Sequence, residues 1–402
     1  MPVEADRNRP PPCEDVRLRG FFDRAPLGEA LAWLDACAPE LPAEDIGVAD
    51  ASGRVLASAI EAPADFPAVD RAGENGYAVR AGDTVGAGAY NPLPFALHDG
   101  STTLPAAAAV LIAAGDPLPP GANAVLPFEA TQATGDASLE VLAALAEGAG
   151  VERAGQHFRG GALLVGPGRV LRPQDLGLLA LLRIERIRAI RRPRVRLVVA
   201  DPPPLHHLCD ANGPVLRALI ERDGGTVESV ASGAELRVAI ARAAEGADVV
   251  LVAGRTSTGR DDLAPLSLAA IGELAIHGVA LRPGGSSGMG LVGDTPVLLL
   301  PGDPLACLCA YEILAGRLIR RLGGRDPGLP HAIREAEVRR KMVSMVGLVE
   351  LCRVRFIDGG AEPMGSAEFG GLASAVRADG FVLIPPPLEG YAPGTRVSVY
   401  VY

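Results

Sequence analysis

A single lysine, Lys341, stands among 402 residues, and arginine makes up the rest of a combined Lys and Arg count of 38. A site for anions in this chain therefore has to be built from guanidinium groups, backbone N–H groups or helix N-termini. Positive charge is also scarce overall. The net charge is −10, which argues against a broad nucleic-acid surface, since that needs a basic face. Long apolar runs are missing: no stretch reaches the ~20 residues that cross a bilayer, so no membrane span is expected. The first twenty residues, MPVEADRNRPPPCEDVRLRG, lack the apolar segment of a secretory signal. A cytoplasmic protein with a mobile tail over 1–20 is expected. The six cysteines, Cys13, Cys37, Cys209, Cys307, Cys309 and Cys352, include no CxxC pair, and reduced thiols fit that compartment. His206 and His207 are adjacent and chelate one ion poorly without further ligands, so no metal is expected there.

What the chain does have is enough apolar material for several cores. Hydrophobic residues make up 48% against 21% charged, and the length exceeds what one core usually serves, so about two to four domains are expected. Residues 26–40 carry apolar side chains at helical spacing, and 172–184 repeat the pattern with Pro173 in the first turn. Between 63 and 130 dense Gly and Pro punctuation suits short strands. From 193 the texture alternates. Apolar strands at 193–200, 226–232, 248–254 and 296–302 are separated by helices at 210–225, 234–247, about 262–273 and 304–324. Asp210 or Asn212 can cap the first of these, and Gly224 suits its end. Such alternation predicts a parallel three-layer α/β domain over 193–325. Ligands in such sheets sit beyond the carboxyl ends of the strands, which directs attention to the loops 201–212, 254–262 and 301–304. Residues 327–402 return to short alternating runs and read as a separate small β-domain.

Five segments, in order, carry a resemblance: DRAGENGYAVRAGDT (70–84), PPGANAVLPFEAT (119–131), AGRTSTGRDD (253–262), LRPGGSSGMG (281–290) with LLLPGDPLACL (298–308), and MGSAEFGGLASAVRADGFVLIP (364–385). Together they resemble the MoeA-type molybdopterin molybdenumtransferase family, to which the gephyrin E domain is similar, over residues 25–402. The resemblance implies a multidomain α/β plus β chain. It has an elongated, discontinuous N-terminal domain (21–50 and 140–192), an inserted β-barrel-like domain (51–139), the molybdopterin-binding α/β domain (193–325) and a small C-terminal β-barrel domain (327–402). It implies a homodimer that inserts molybdate into adenylylated molybdopterin and releases AMP, with Mg(2+) as cofactor. The pterin site would lie between the α/β domain of one subunit and the barrel-like domain of the other.

Carried onto this chain, the resemblance assigns Asp262 and Glu129, which match family acids, to catalysis; Asp303, which replaces a family asparagine, is expected to join them in a rearranged site. The resemblance assigns Asp210, Asn212, Gly254, Arg255, Ser257, Thr258, Gly259, Arg282, Pro283, Gly284, Pro301, Gly302 and Asn75 to binding of the pterin cofactor. Glycines at 254 and 259 let backbone approach a phosphate, and Ser257 and Thr258 add hydroxyls. Several positions depart from the family pattern. Asn75 and Asn123 stand for aspartates, and Gly161 and Ala162 for acids. Arg255 stands for a glycine, Arg282 and Gly285 for the two lysines of K-P-G-K-P, and Asp303 for the asparagine of L-P-G-N-P. An amide in place of a carboxylate loses a hard magnesium ligand and a base. Arg255 and Arg282 are expected to hold phosphate or molybdate. A second reading stays open at this point: a non-catalytic molybdopterin-binding homologue that serves as carrier or partner of a client molybdo- or tungsto-enzyme.

Overall fold

The computed structural model describes residues 15–200, 210–230, 235–364 and 371–402. It divides into two compact units. One combines the chain up to Ala57 with Val170–Pro173 and Arg186–Tyr402; the other is Ser58–Arg169 with Gln174–Glu185.

The second unit is built on a six-stranded sheet. Its order is Ala124–Pro127, Gly76–Val79, Ala108–Ile112, Leu93–Leu97, Ser138–Val141 and Thr131–Gly135. The strands are short because glycine and proline interrupt them so often. Gly76 shows why one glycine sits inside a strand: a Cβ there would lie 2.2 Å from the Leu126 carbonyl oxygen. Val79, Phe95, Ala109, Leu126, Leu139 and Val141 form its core. Asn75 sits on the turn before Gly76–Val79, and Glu129 on the 3-10 turn Phe128–Ala130.

In the first unit, helix Leu27–Ala36 precedes strand Ala43–Gly47, which pairs with Arg186–Ile190. The α/β sheet follows. Its order is Thr226–Val230, Arg194–Val199, Val249–Ala253, Thr295–Leu300, Gly288–Val292 and Glu273–His277. The first four are parallel, as expected. Val249–Ala253 is buried along its whole length, which is why it reads as an unbroken apolar run. The last two strands are antiparallel, so the sheet is mixed and not wholly parallel. Only Gly293 and Asp294 separate Val292 from Thr295. Two residues can close a hairpin, whereas a parallel return needs a crossover of a dozen or more. Helices Asn212–Arg222, Leu236–Ala244 and Ala264–Ala269 cover the sheet. The expected helix over 304–324 runs as Pro304–Ala310, a π-helical turn Tyr311–Ala315, and Gly316–Leu322.

A third six-stranded sheet holds the C-terminal β-structure, in the order Leu281–Arg282, Val349–Ile357, Gly380–Ile384, Arg396–Val401 and Ala332–Glu337, with Gly360–Pro363 added to Val349–Ile357. Its first strand comes from within the α/β segment: Leu281 and Arg282 pair in parallel with Val349 and Glu350. The strand that carries Arg282 thus belongs to the C-terminal sheet.

Candidate active site

The 254–262 loop leaves the buried strand Val249–Ala253 through two left-handed residues, Gly254 (φ +99°) and Arg255 (φ +56°). Its closure is internal. Asp262 Oδ2 accepts the Gly259 N–H at 2.6 Å, and the Arg255 carbonyl accepts from Ala264 N–H at 3.0 Å. Thr256 is buried. Its Oγ1 lies 3.3 Å from Ser286 Oγ, and its carbonyl 2.9 Å from His277 Nε2. Burial lowers the pKa of His277, ahead of the opposing pull of the Thr256 carbonyl. The His277 ring also meets Phe21 edge-on at 5.0 Å. Leu18 N–H donates to Thr258 O at 2.8 Å. The segment that includes residues 18–25 therefore lies along this loop.

Two further loops meet it. Asp303 caps helix Pro304–Ala310, with Oδ1 accepting from Ala306 N–H at 2.9 Å, a placement favoured by the helix dipole. Gly302 and Gly254 approach backbone to backbone: a Cβ on Gly302 would lie 3.4 Å from Gly254 Cα. Asn212 Nδ2 donates to Gly302 O at 3.0 Å, while Asp210 Oδ1, just before helix Asn212–Arg222, accepts from its Gly213 N–H at 2.8 Å. The third loop runs from Arg282 through Gly284 (φ +120°) to Ser287, whose hydroxyl donates to Gly284 O at 2.7 Å.

Between these loops lies a cavity of about 640 Å³, within the size range of small-molecule sites. Of the residues singled out from sequence, Ser257, Thr258, Arg282, Pro283, Gly284 and Asp303 line it together. Gly254, Arg255, Gly259 and Asp262 shape the first loop without lining the cavity, and Asp210, Asn212, Pro301 and Gly302 frame the second. Asn75 and Glu129 lie in the other unit, both exposed. There the Asn75 side-chain oxygen accepts from Ala114 N–H at 2.8 Å. The 201–209 part of the first expected loop lies outside the described residues.

Sequence reasoning missed Phe21, Arg24, Ser286, Met345 and Leu348, which also line the cavity. Ser286 stood within a quoted motif. The others carry no local signal, because what brings them here is packing between distant segments. Among the described residues no three His, Cys, Asp or Glu side chains gather as a metal cage. Among the described residues the cavity lining has one carboxylate, Asp303, with hydroxyls and arginines, a donor set that fits a cation shared with substrate phosphates, as magnesium is usually held.

The sequence matches three family profiles in succession: "MoeA N-terminal region (domain I and II)" over residues 25–182, "Probable molybdopterin binding domain" over 198–321, and "MoeA C-terminal region (domain IV)" over 335–402. A protein of Methanocaldococcus jannaschii named for molybdopterin biosynthesis is 30% identical over 89% of this chain and 92% of its own. The chain belongs to the MoeA family. Molybdopterin molybdenumtransferase 2 of Mycobacterium tuberculosis is 29% identical over 88% of this chain and 94% of its own. The crystal structure of the molybdopterin biosynthesis MoeA protein from Pyrococcus horikoshii superposes with a TM-score of 0.73 at 28% identity, covering 94% of this chain and 99% of that one. The MoeA likeness thus extends through both units. Among the described residues no helix is long and apolar enough to cross a membrane.

Proposed function

We propose that this protein is a molybdopterin molybdenumtransferase of molybdenum cofactor biosynthesis, which inserts molybdate into adenylylated molybdopterin and releases AMP. One observation carries the reading. In a chain that matches the MoeA family almost throughout, three loops from that family's motifs converge on one cavity lined, among the described residues, by hydroxyls, arginine and a single carboxylate. Phosphate and molybdate oxygens need donors, and Ser257, Thr258 and Arg282 supply them. Arg255, whose side chain does not line the cavity, contributes through the backbone turn that presents Ser257. Magnesium bound with the substrate would use the Asp303 carboxylate and would neutralise developing phosphate charge. Asp303 and Asp262 remain the acids assigned to the reaction from the α/β loops; Asn75 and Glu129 remain assigned on family resemblance. A homodimer in the cytoplasm is the proposed working form.

The experiment supplies the full chain with adenylylated molybdopterin, molybdate and magnesium and measures AMP. Molybdate-dependent AMP release is expected. Tight binding of molybdopterin with no AMP released would replace this reading by that of a carrier serving a client molybdoenzyme. Light scattering at micromolar protein tests the dimer, and a monomer there would remove it.

A further inference from the structure

Two glycines border one arginine. Gly285 stands where the family motif places its second lysine. A Cβ at 285 would lie 3.3 Å from Arg24 Nε and 3.4 Å from Arg24 Cζ. At Gly278 (φ +92°) a Cβ would lie 3.4 Å from Arg24 Cγ and only 2.6 Å from Phe21 Cδ1. The stem of Arg24 therefore passes Gly278 and its guanidinium ends beside Gly285. Backbone bonds hold it there on both sides: Ala25 N–H donates to Gly278 O at 3.0 Å, and Ala280 N–H to Ala25 O at 2.8 Å. The guanidinium also sits 5.2 Å from the centroid of the Phe21 ring, a cation–π contact that restricts its orientation. Both Arg24 and Phe21 line the cavity with Ser257, Thr258 and Ser286.

We infer that Arg24 is an anion-binding residue of this cavity and takes the place of the missing lysine, holding a tetrahedral oxyanion of the substrates against the hydroxyls of Ser257, Thr258 and Ser286. The charge is supplied from a segment about 260 residues earlier in the chain. A Cβ at position 285 would meet the Leu281 carbonyl oxygen at 3.1 Å as well as the guanidinium at 3.3–3.4 Å, so a side chain there is crowded by backbone and by Arg24 together. A planar guanidinium can grip two oxygens at once, which an ammonium cannot. The inference deepens the transferase reading and rests on it for the identity of the oxyanion, either the phosphate of an adenylate or molybdate.

The test is a cycle in the full-length protein: wild type, Arg24→Ala, Gly285→Lys and the double variant. AMP and molybdate are titrated separately by calorimetry, so the two sources of oxyanion are told apart, and AMP release is assayed in parallel. Arg24→Ala should weaken binding of at least one anion tenfold or more and flatten the dependence of its affinity on salt. Gly285→Lys should recover much of that loss when combined with Arg24→Ala. Arg24→Gln, which keeps the stem on Phe21, repeats the test if the alanine variant is poorly folded by circular dichroism. Binding of both anions within twofold of wild type in the Arg24 variants, a double variant no tighter than Arg24→Ala, or no binding of either anion by wild type would each overturn the inference. Arg24-dependent binding without AMP release would leave it standing and remove the transferase reading alone.

Discussion

The side-chain amide of Asn212 donates to the carbonyl oxygen of Gly302 at 3.0 Å, so the first turn of one helix restrains the loop that presents Asp303 at the start of another. Asn212 is buried, and nothing solvates its amide if the bond is lost. Asn212→Ala should cost about 1 kcal/mol, the net worth of one hydrogen bond. Asn212→Asp should cost more at neutral pH, because a carboxylate would face a carbonyl oxygen with no donor between them. Burial would raise the pKa of that new acid, so the excess cost should shrink as pH falls and the acid becomes neutral. Urea denaturation of both variants at pH 7 and pH 4.5 measures this; equal costs at both pH values would show that the amide donor is not what matters.

Asp303 has two roles that substitution can separate. Its carboxylate caps helix Pro304–Ala310, and asparagine caps about as well as aspartate, whereas alanine costs about 1 kcal/mol. Asp303→Asn, which restores the asparagine of the family motif, should therefore leave thermal stability almost unchanged; AMP release should fall at least tenfold because the rearranged site of this chain uses the carboxylate charge. Full activity in this variant would restrict Asp303 to its capping role.

Arg255 holds a left-handed backbone, φ +56°, where the family motif has glycine. An L-residue in this region costs roughly 1–2 kcal/mol relative to glycine. Comparing Arg255→Gly with Arg255→Ala removes the same side-chain interactions from both, so the difference isolates the backbone. The glycine variant should be the more stable by about 1 kcal/mol in chemical denaturation, and equal stabilities would mean that the loop relaxes out of the left-handed region.

A buried charge cluster ties the long helix to the C-terminal strands. Glu312, on the π-helical turn, accepts from Arg222 at 2.7 and 2.9 Å and lies 3.2 Å from His331 Nε2. Asp223 accepts from Arg320 at 2.9 Å and from the Tyr311 hydroxyl at 3.1 Å. Burial pushes the Glu312 carboxyl pKa up, but hydrogen bonds from His331 and Arg222, with their charge, outweigh it and hold the pKa below the usual range. Because the folded value is depressed, the stability contributed by Glu312 is fully present above the unfolded glutamate's pKa of ~4.3 and is lost as pH falls through the folded value. Glu312→Gln should destabilise the protein by about 3 kcal/mol at pH 7, the lower end of what removing one partner of a buried pair costs. It should also flatten the stability profile below about pH 4.3. Thermal denaturation from pH 3 to 7 checks both, and a parallel acid limb in the variant would show that other carboxylates govern it.

Much of the fold is legible in short-range pattern. The parallel strands are apolar runs because both faces are covered, as in Val249–Ala253. Their helices begin and end at local signals such as Pro304 and Gly224. The site loops were legible for the same reason, since they follow strand ends and carry glycines and hydroxyls in a familiar order. Where two local solutions competed, the sequence left the choice open. Both Asp210 and Asn212 could cap helix Asn212–Arg222; the N-cap position falls on Ala211 with no side-chain bond of its own, Asp210 accepts from the first-turn Gly213 N–H, and Asn212 turns to Gly302.

Other features depend on contacts between segments far apart in the chain, and no local pattern encodes those. Leu281–Arg282 leaves the α/β segment to pair with Val349–Glu350. Arg24, one of 37 arginines beside a single lysine, gains its place only because residues 278–280 bond to Ala25 and glycines at 278 and 285 leave space for its side chain. Composition left guanidinium groups as nearly all the side-chain cations an anion site here could use; packing between segments some 260 residues apart brings Arg24 into the cavity beside Arg282, because that depends on where a side chain finds room and not on its neighbours in sequence.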